Sequence, residues 1–232
     1  MRGVPVARNT ACMSRLSPAL SPILLPALIA SATLAIAAAP WALNQPELAW
    51  IFKPLATLLV IAHAWPRGSD QLSARHWVRL GLIWSLVGDV ALLWPEKGFL
   101  PGLVSFLLAH LAYLMAFTRG TRLAQRWAPF GAYALVAAVV LAALWPGVPV
   151  ALRWPVLAYV LCLGAMAAQA AVVWRAGRER GAVLAAGGAL FMLSDALLAT
   201  NKFAGPLPLA SLWVLSSYWA AQWCIASWLR PR

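Results

Sequence analysis

The chain contains six carboxylates, and two of them stand inside long apolar runs. Asp89 ends the string Gly81-Leu-Ile-Trp-Ser85-Leu-Val-Gly88-Asp89, and Asp195 ends Gly187-Gly-Ala-Leu-Phe-Met-Leu-Ser194-Asp195. An ionisable side chain in such a run is expensive and marks a site of function more often than a structural tie. Two carboxyls in one apolar setting can divide proton chemistry between them, one donating a proton and the other accepting one or steadying a positive charge. The remaining four, Glu47, Asp70, Glu96 and Glu179, fall in connections or at the ends of runs, where water solvates them. Lys53 begins one apolar run, and Lys202 follows Asp195. Two acids and two amines at comparable depth make one candidate site. The structural alternative is that each Asp pairs with a Lys and ties two helices, a contact that contributes only about 1 kcal/mol in a membrane.

Other polar side chains fall mid-run as well. His110 lies in Ser105-Phe-Leu-Leu-Ala-His110-Leu-Ala-Tyr113, and Tyr218 and Gln222 are four apart, hence on one helix face. The three histidines, His63, His76 and His110, show no metal-ligand spacing, so no metal is expected and no cofactor is implied. Nucleophile-elbow, phosphate-loop and dinucleotide signatures are all missing. Cys12, Cys162 and Cys224 have no CxxC spacing and read as packing residues.

The elements that must hold these residues follow from composition. Of 232 residues, 63% are hydrophobic and 10% charged, with mean hydropathy +0.78, against about half and a quarter in soluble domains. A water-soluble globule has nowhere to put so much apolar surface, and a disordered chain would lack it. The expectation is an all-α, polytopic helical bundle in a membrane. Spans are read at 20–39, 48–64, 78–95, 99–118, 128–145, 153–175, 183–200 and 207–229, each near the length of about 20 residues that crosses hydrocarbon. Pro, Gly and Asn punctuate the breaks, and Trp gathers near the ends, Trp228 among them. The strings around Asp89 and Asp195, each leading to a Lys and a Phe (Lys97-Gly-Phe99, Lys202-Phe203), suggest a parallel four-plus-four internal repeat that sets the acids across from each other. Each Asp is expected about 9 Å from the end of its helix, at 1.5 Å per residue.

Charge tests this count. Eight spans gather both termini and the loops 65–79, 119–127 and 175–182 on one face, which then holds fourteen of the eighteen Lys and Arg; Lys53, Lys97, Arg153 and Lys202 remain for the other. Such asymmetry places the basic face in the cytoplasm. The expected organisation is a cytoplasmic tail over 1–19, one membrane domain over 20–229 and a short cytoplasmic tail over 230–232, in a bacterial cytoplasmic (inner) membrane. The first run reads as a retained anchor; a cleaved secretory signal would leave seven spans in the same orientation. The net charge of +12 reflects this asymmetry and not nucleic-acid binding, since the basic residues form no continuous stripe.

Taken in order, several strings resemble the YhhN family, which includes the TMEM86-type lysoplasmalogenases. They are Lys53-Pro54-Leu55; Gly81-Leu-x-x-Ser85-Leu-x-Gly88-Asp89; Phe99-x-x-Gly102-Leu-x-Ser105-Phe-x-x-x-His110-x-x-Tyr113; Gly188-Ala-x-x-Phe191-x-x-Ser194-Asp195-x-x-Leu198-Ala199-x-Asn201-Lys202-Phe203; and Tyr218-x-x-x-Gln222. The resemblance covers about residues 50–228 and implies hydrolysis of the vinyl ether bond of a lysophospholipid, giving a fatty aldehyde and a glycerophospho-alcohol. Such cleavage needs a protonated acid and a carboxylate, the labour that glycosidases split between two carboxyls. Asp89 and Asp195 are the expected catalytic pair. Lys53 and Lys202 would hold the second acid ionised or contact the substrate phosphate. Ser85 and Ser194 flank the acids within the matching strings, and His110, Tyr113, Asn201, Tyr218 and Gln222 would orient substrate or water. Two other classes remain open on the residues alone: a metal-dependent lipid hydrolase, and a proton-coupled transporter, to which paired intramembrane acids are also suited.

Overall fold

The computed structural model describes residues 17–94 and 96–231. Arg2, Arg8, Cys12, Arg15, Pro95 and Arg232, all used in the sequence reading, lie outside the described residues. Eight α-helices account for the rest: α1 (Ser17–Ala37), α2 (Pro46–Ala64), α3 (Leu72–Ala91), α4 (Phe99–Phe117), α5 (Trp127–Leu144), α6 (Arg153–Arg175), α7 (Gly181–Phe203) and α8 (Ala210–Trp228), with two 3-10 turns between α5 and α6. Helices close their backbone hydrogen bonds internally, which is what hydrocarbon demands of a spanning segment. Proline sits in the first turn of α2, α4, α5 and α6 (Pro46, Pro101, Pro129, Pro155), where the amide it lacks would have had no helical partner.

Among the described residues five helices, α2, α4, α5, α6 and α7, with α5 and α6 counted together with their adjoining 3-10 turns, are long and apolar enough to cross a membrane. The protein is a polytopic helical membrane protein. Each expected span has its helix, with one clear displacement. α3 runs over 72–91 and not 78–95, so Arg75, His76 and Arg79 belong to a helix instead of a loop. Ala74 and Val78 are buried beside them, while Arg79 donates to the Trp65 carbonyl and lies 4.5 Å from the Trp65 ring. Long basic side chains extend in this way to the rim while their stems cover apolar surface. At its other end α3 stops at Ala91, four residues before Pro95, because a residue preceding proline avoids helical geometry. Asp89 therefore occupies the last turn of α3, whereas Asp195 lies eight residues before the end of α7, about 12 Å at 1.5 Å per residue.

The connections α2–α3, α4–α5 and α6–α7 meet the C-terminus at one end of the bundle. Gly68 N–H donates to the Arg230 carbonyl at 2.8 Å, Arg67 to the Leu229 carbonyl at 3.0 Å, and Arg178 to the Gly120 carbonyl. Arg230 pairs with Asp70 at 2.8 Å and Glu179 at 2.7 Å. Gln169 on α6, fully buried, accepts from Ala124 N–H at 3.1 Å and donates to Thr121 and Arg122 carbonyls at 3.3 Å, fastening the α4–α5 connection. Trp50, Trp65, Trp94, Trp127, Trp154 and Trp174 are exposed at or near helix ends, as an aromatic belt would be. Trp228 departs from that reading: it packs inward, edge-on to Phe117 at 5.5 Å.

Four packing relations dominate the bundle, and each recurs in the other half. α1 packs on α2 as α5 on α6, α2 on α3 as α6 on α7, α3 on α4 as α7 on α8, and α4 on α6 as α8 on α2. That exchange is what a parallel four-plus-four repeat produces. The tightest pairs use glycine for close approach: a Cβ on Gly81 of α3 would stand 2.3 Å from the Tyr113 ring of α4, and one on Gly187 of α7 would stand 3.1 Å from the Ala221 carbonyl of α8. Gly81→Val should therefore lower the midpoint of thermal unfolding in detergent, because overpacking costs about 1–3 kcal/mol and the buried Tyr113 ring has nowhere to go. Gly120→Ala, where nothing lies within 4 Å, should leave the midpoint unchanged; equal effects would contradict this packing.

Candidate active site

Asp89 is 1% exposed and surrounded by donors. Its Oδ2 accepts from Thr57 Oγ1 on α2 at 2.6 Å and from the Tyr218 hydroxyl on α8 at 2.7 Å. Lys53 Nζ, one turn before Thr57 on the same face of α2, stands 3.7 Å from Oδ1 and 3.3 Å from the Asp89 carbonyl. Trp219 Nε1 donates to Thr57 Oγ1 at 3.1 Å. Every contact that reaches this carboxyl is a donor or a cation, the arrangement an ionised carboxylate accepts. It binds α2, α3 and α8 together.

Asp195 lives differently. Its Oδ2 accepts from the Tyr159 hydroxyl on α6 at 2.5 Å, and His110 Nε2 on α4 stands 3.9 Å from the same oxygen. Both Asp195 and Tyr159 line a cavity of about 260 Å³ between α4, α5, α6 and α7. Tyr133 adds a second phenol, and the rest of the lining is apolar, including Phe99, Leu103, Phe106, Ala137, Leu163, Met192 and Phe203. His110 is fully buried, and neither ring nitrogen has a hydrogen-bond partner. Its ring lies edge-on to Tyr159 at 5.2 Å and to Phe191 at 4.6 Å. A buried polar group without a partner is costly, so its place beside an acid at a cavity calls for a chemical reason.

The two acids occupy neighbouring but separate settings. Among the described residues no hydrogen bond joins them. Phe191 touches His110 on one side and Tyr218 on the other, with ring centroids 4.6 and 5.5 Å away, and Phe106 meets Tyr218 at 5.7 Å while lining the cavity. Asp89 thus lies behind the aromatic wall that Asp195 faces across the cavity. A third polar group completes the interior: Tyr113 donates to Gln222 Oε1 at 2.6 Å, with Ser85 Oγ at 3.4 Å from the Tyr113 hydroxyl.

The remaining expected residues are distributed as follows. Lys53 joins Asp89, but Lys202 is exposed and sits 5.2 Å over the Phe99 ring, at the cavity rim. Ser194 donates to the Val214 carbonyl at 2.9 Å, tying α7 to α8, and Asn201 Oδ1 accepts from Leu207 N–H at 2.9 Å in the α7–α8 turn. The sequence reading missed Thr57, Trp219 and Tyr159. Thr57 carried a signal, being four residues after Lys53 on one helix face. Tyr159 carried a subtler one: it precedes Asp195 by 36 residues, as Lys53 precedes Asp89. The repeat therefore puts a hydroxyl in the second half where it puts an ammonium in the first.

The Lys53–Asp89 pair is buried, so removing one partner strands the other charge. Lys53→Met or Asp89→Asn alone should destabilise the fold by about 3–5 kcal/mol, and the double variant should lose less than the sum of the two. Thermal unfolding of the three variants in one detergent measures this; additive losses would contradict the pairing.

Comparison with known proteins follows the same residues. The pattern of the YhhN family matches residues 48–229. Lysoplasmalogenase TMEM86B of Homo sapiens is 40% identical over 190 residues, covering 77% of this chain and 75% of that protein. Lysoplasmalogenase TMEM86A of Homo sapiens is 37% identical over 152 residues, covering 63% and 62%. The membrane protein YhhN of Escherichia coli O157:H7 is 31% identical over 112 residues, covering 48% and 52%. No solved structure matches the chain. The matched stretch runs from just before Lys53 to past Gln222 and so takes in both acids and all their hydrogen-bond partners: the chain belongs to the YhhN family.

Proposed function

We propose that this protein is a lysoplasmalogen hydrolase, with Asp195 as the proton donor. The observation that carries the reading is the setting of Asp195: a carboxyl held by the Tyr159 phenol in a cavity whose only other polar lining group is the Tyr133 phenol, backed by a buried histidine. The names of the TMEM86A and TMEM86B relatives supply the substrate. In the proposed reaction the alkenyl chain lies along the apolar lining and brings its double bond to Asp195. The Asp195 carboxyl delivers its proton to the β-carbon of the vinyl ether, leaving an oxocarbenium ion at the carbon bonded to oxygen. Water adds to that carbon and returns a proton to Asp195. The hemiacetal then collapses: its carbon–oxygen bond to glycerol breaks, the hydroxyl proton passes to the glycerol oxygen, and a fatty aldehyde and a glycerophospho-alcohol leave.

Tyr159 occupies Oδ2 of Asp195, which leaves Oδ1 to carry the reacting proton. His110 positions the same carboxyl from the protein side. Asp89 makes no contact with the cavity, and with Lys53 3.7 Å from its carboxyl its charge is already compensated, so its part in this reading is to hold α2, α3 and α8 in place. Lys202 at the rim would meet the substrate phosphate, and the basic end of the bundle would face the cytoplasm.

The test is aldehyde release from lysoplasmalogen by the purified protein. Asp195→Asn should lower the rate by about 100-fold or more, as loss of a general acid does. Tyr159→Phe should lower it by about tenfold and move the pH profile, since the acid loses its fixed hydrogen bond. Full activity in Asp195→Asn would remove this mechanism, and silence from folded wild-type protein would remove the substrate assignment.

A further inference from the structure

The repeat is broken at one place, and the cavity lies there. In the first half α1 packs on α2 and also reaches α8. Its counterpart α5 packs on α6 and touches α7, but makes no contact of that extent with α4. The space beside Asp89 is thereby closed, while the space beside Asp195 is left as a cavity with α5 for its outer wall.

α5 itself carries the marks of that position. Tyr133, Ala137, Val140, Leu141 and Leu144 form one stripe at helical spacing, and all five line the cavity. The opposite side is open: Leu135 is 66% exposed and Val139 62%. Only Pro129 and Leu144 of this helix are buried. A single apolar helix thus separates bilayer hydrocarbon from a hydrocarbon-lined cavity. An alkyl tail passing between them never meets water, whereas a tail arriving from the aqueous end would.

We infer that the gap between α4 and α5 is a lateral portal through which a single-chain lipid slides its tail from the bilayer into the cavity, and that the α5 stripe selects tail length. The tail-binding role rests on the cavity and α5; only the bond that is cleaved rests on the hydrolase reading. Ala137, the smallest residue of the stripe, is where added bulk would fill the cavity.

Two measurements test this on the full chain. In the first, aldehyde release is compared for alkenyl chains of about eight and about sixteen carbons. Ala137→Trp should cut kcat/KM for the long chain by about tenfold or more and for the short chain by less than about threefold, the discrimination expected when pocket volume is removed. Leu135→Trp, on the bilayer side, should change neither. In the second, wild-type protein is photolysed with a saturated alkyl-ether lysophospholipid bearing a diazirine at the tail end, which has no vinyl ether to cleave. Crosslinks at Ala137, Val140 or Met192 are expected. Crosslinks confined to the outer α7–α8 groove at Leu190, Leu197 and Trp213, or an equal loss for both chains in folded Ala137→Trp, would overturn the portal. Crosslinks on the stripe with no aldehyde from wild type would support the portal and remove the hydrolase reading.

Discussion

Hydrocarbon offers no hydrogen bonds, so each polar side chain drawn into this bundle must find its partner within the chain. That constraint organises the interior. Asp89 recruits Thr57 and Lys53 from α2 and Tyr218 from α8, and Trp219 completes the set through Thr57. α2, α3 and α8 are thereby fixed in rotation, because only one face of each carries the group that this contact requires. Tyr113 and Gln222 repeat the device between α4 and α8. Apolar contact alone discriminates weakly between helix orientations in lipid, where association depends on close packing and on such polar links.

Against that background Asp195 stands out by what surrounds it. One phenol reaches its carboxyl, a histidine with no hydrogen-bond partner stands beside it, and the remaining neighbourhood is an apolar cavity. The first acid is satisfied and enclosed; the second is accessible to a ligand. The repeat gives its two acids different partners, with Lys53 and Tyr159 at matching offsets from them. An ammonium compensates a buried carboxylate, while a phenol supplies a hydrogen bond without a compensating charge. The substitution suits one carboxyl to holding charge and the other to moving a proton.

The break in symmetry has a mechanical counterpart. α1 reaches α8 and seals its half, whereas α5 makes no contact of that extent with α4 and leaves room. The stretch matched by the YhhN pattern begins at residue 48, after α1, so the helix that closes the Asp89 half is outside the matched stretch and the helix that leaves the Asp195 half open is within it. For the proposed chemistry on a lipid this division is apt: the Asp195 carboxyl would be kept from bulk water, and a tail reaching it would travel through surroundings like its own.

How much of this was legible beforehand follows from the range of each interaction. Membrane class, the number of helices and most of their limits were written in local composition, because spanning hydrocarbon is a requirement each segment meets by itself. The gathering of Arg230, Arg178 and Arg67 at one end was legible for the same reason, since alternating loops must alternate sides. Asp89, Asp195 and His110 announced themselves as polar groups in apolar runs. The limits of α3 were misjudged because Arg75 and Arg79 look like loop residues until Trp65 and the rim are in place to receive them. The chain suggested a Lys for each acid, and Lys53 does meet Asp89, but it did not point to Tyr159, 36 residues from Asp195, or to Tyr218 as a donor to Asp89, 129 residues away. Those distances are closed only by packing one helix against another. So is the cavity, which lies where α5 leans on α6 and α7 more than on α4; which neighbour a helix packs against has no sequence signature, and tertiary structure alone decides it.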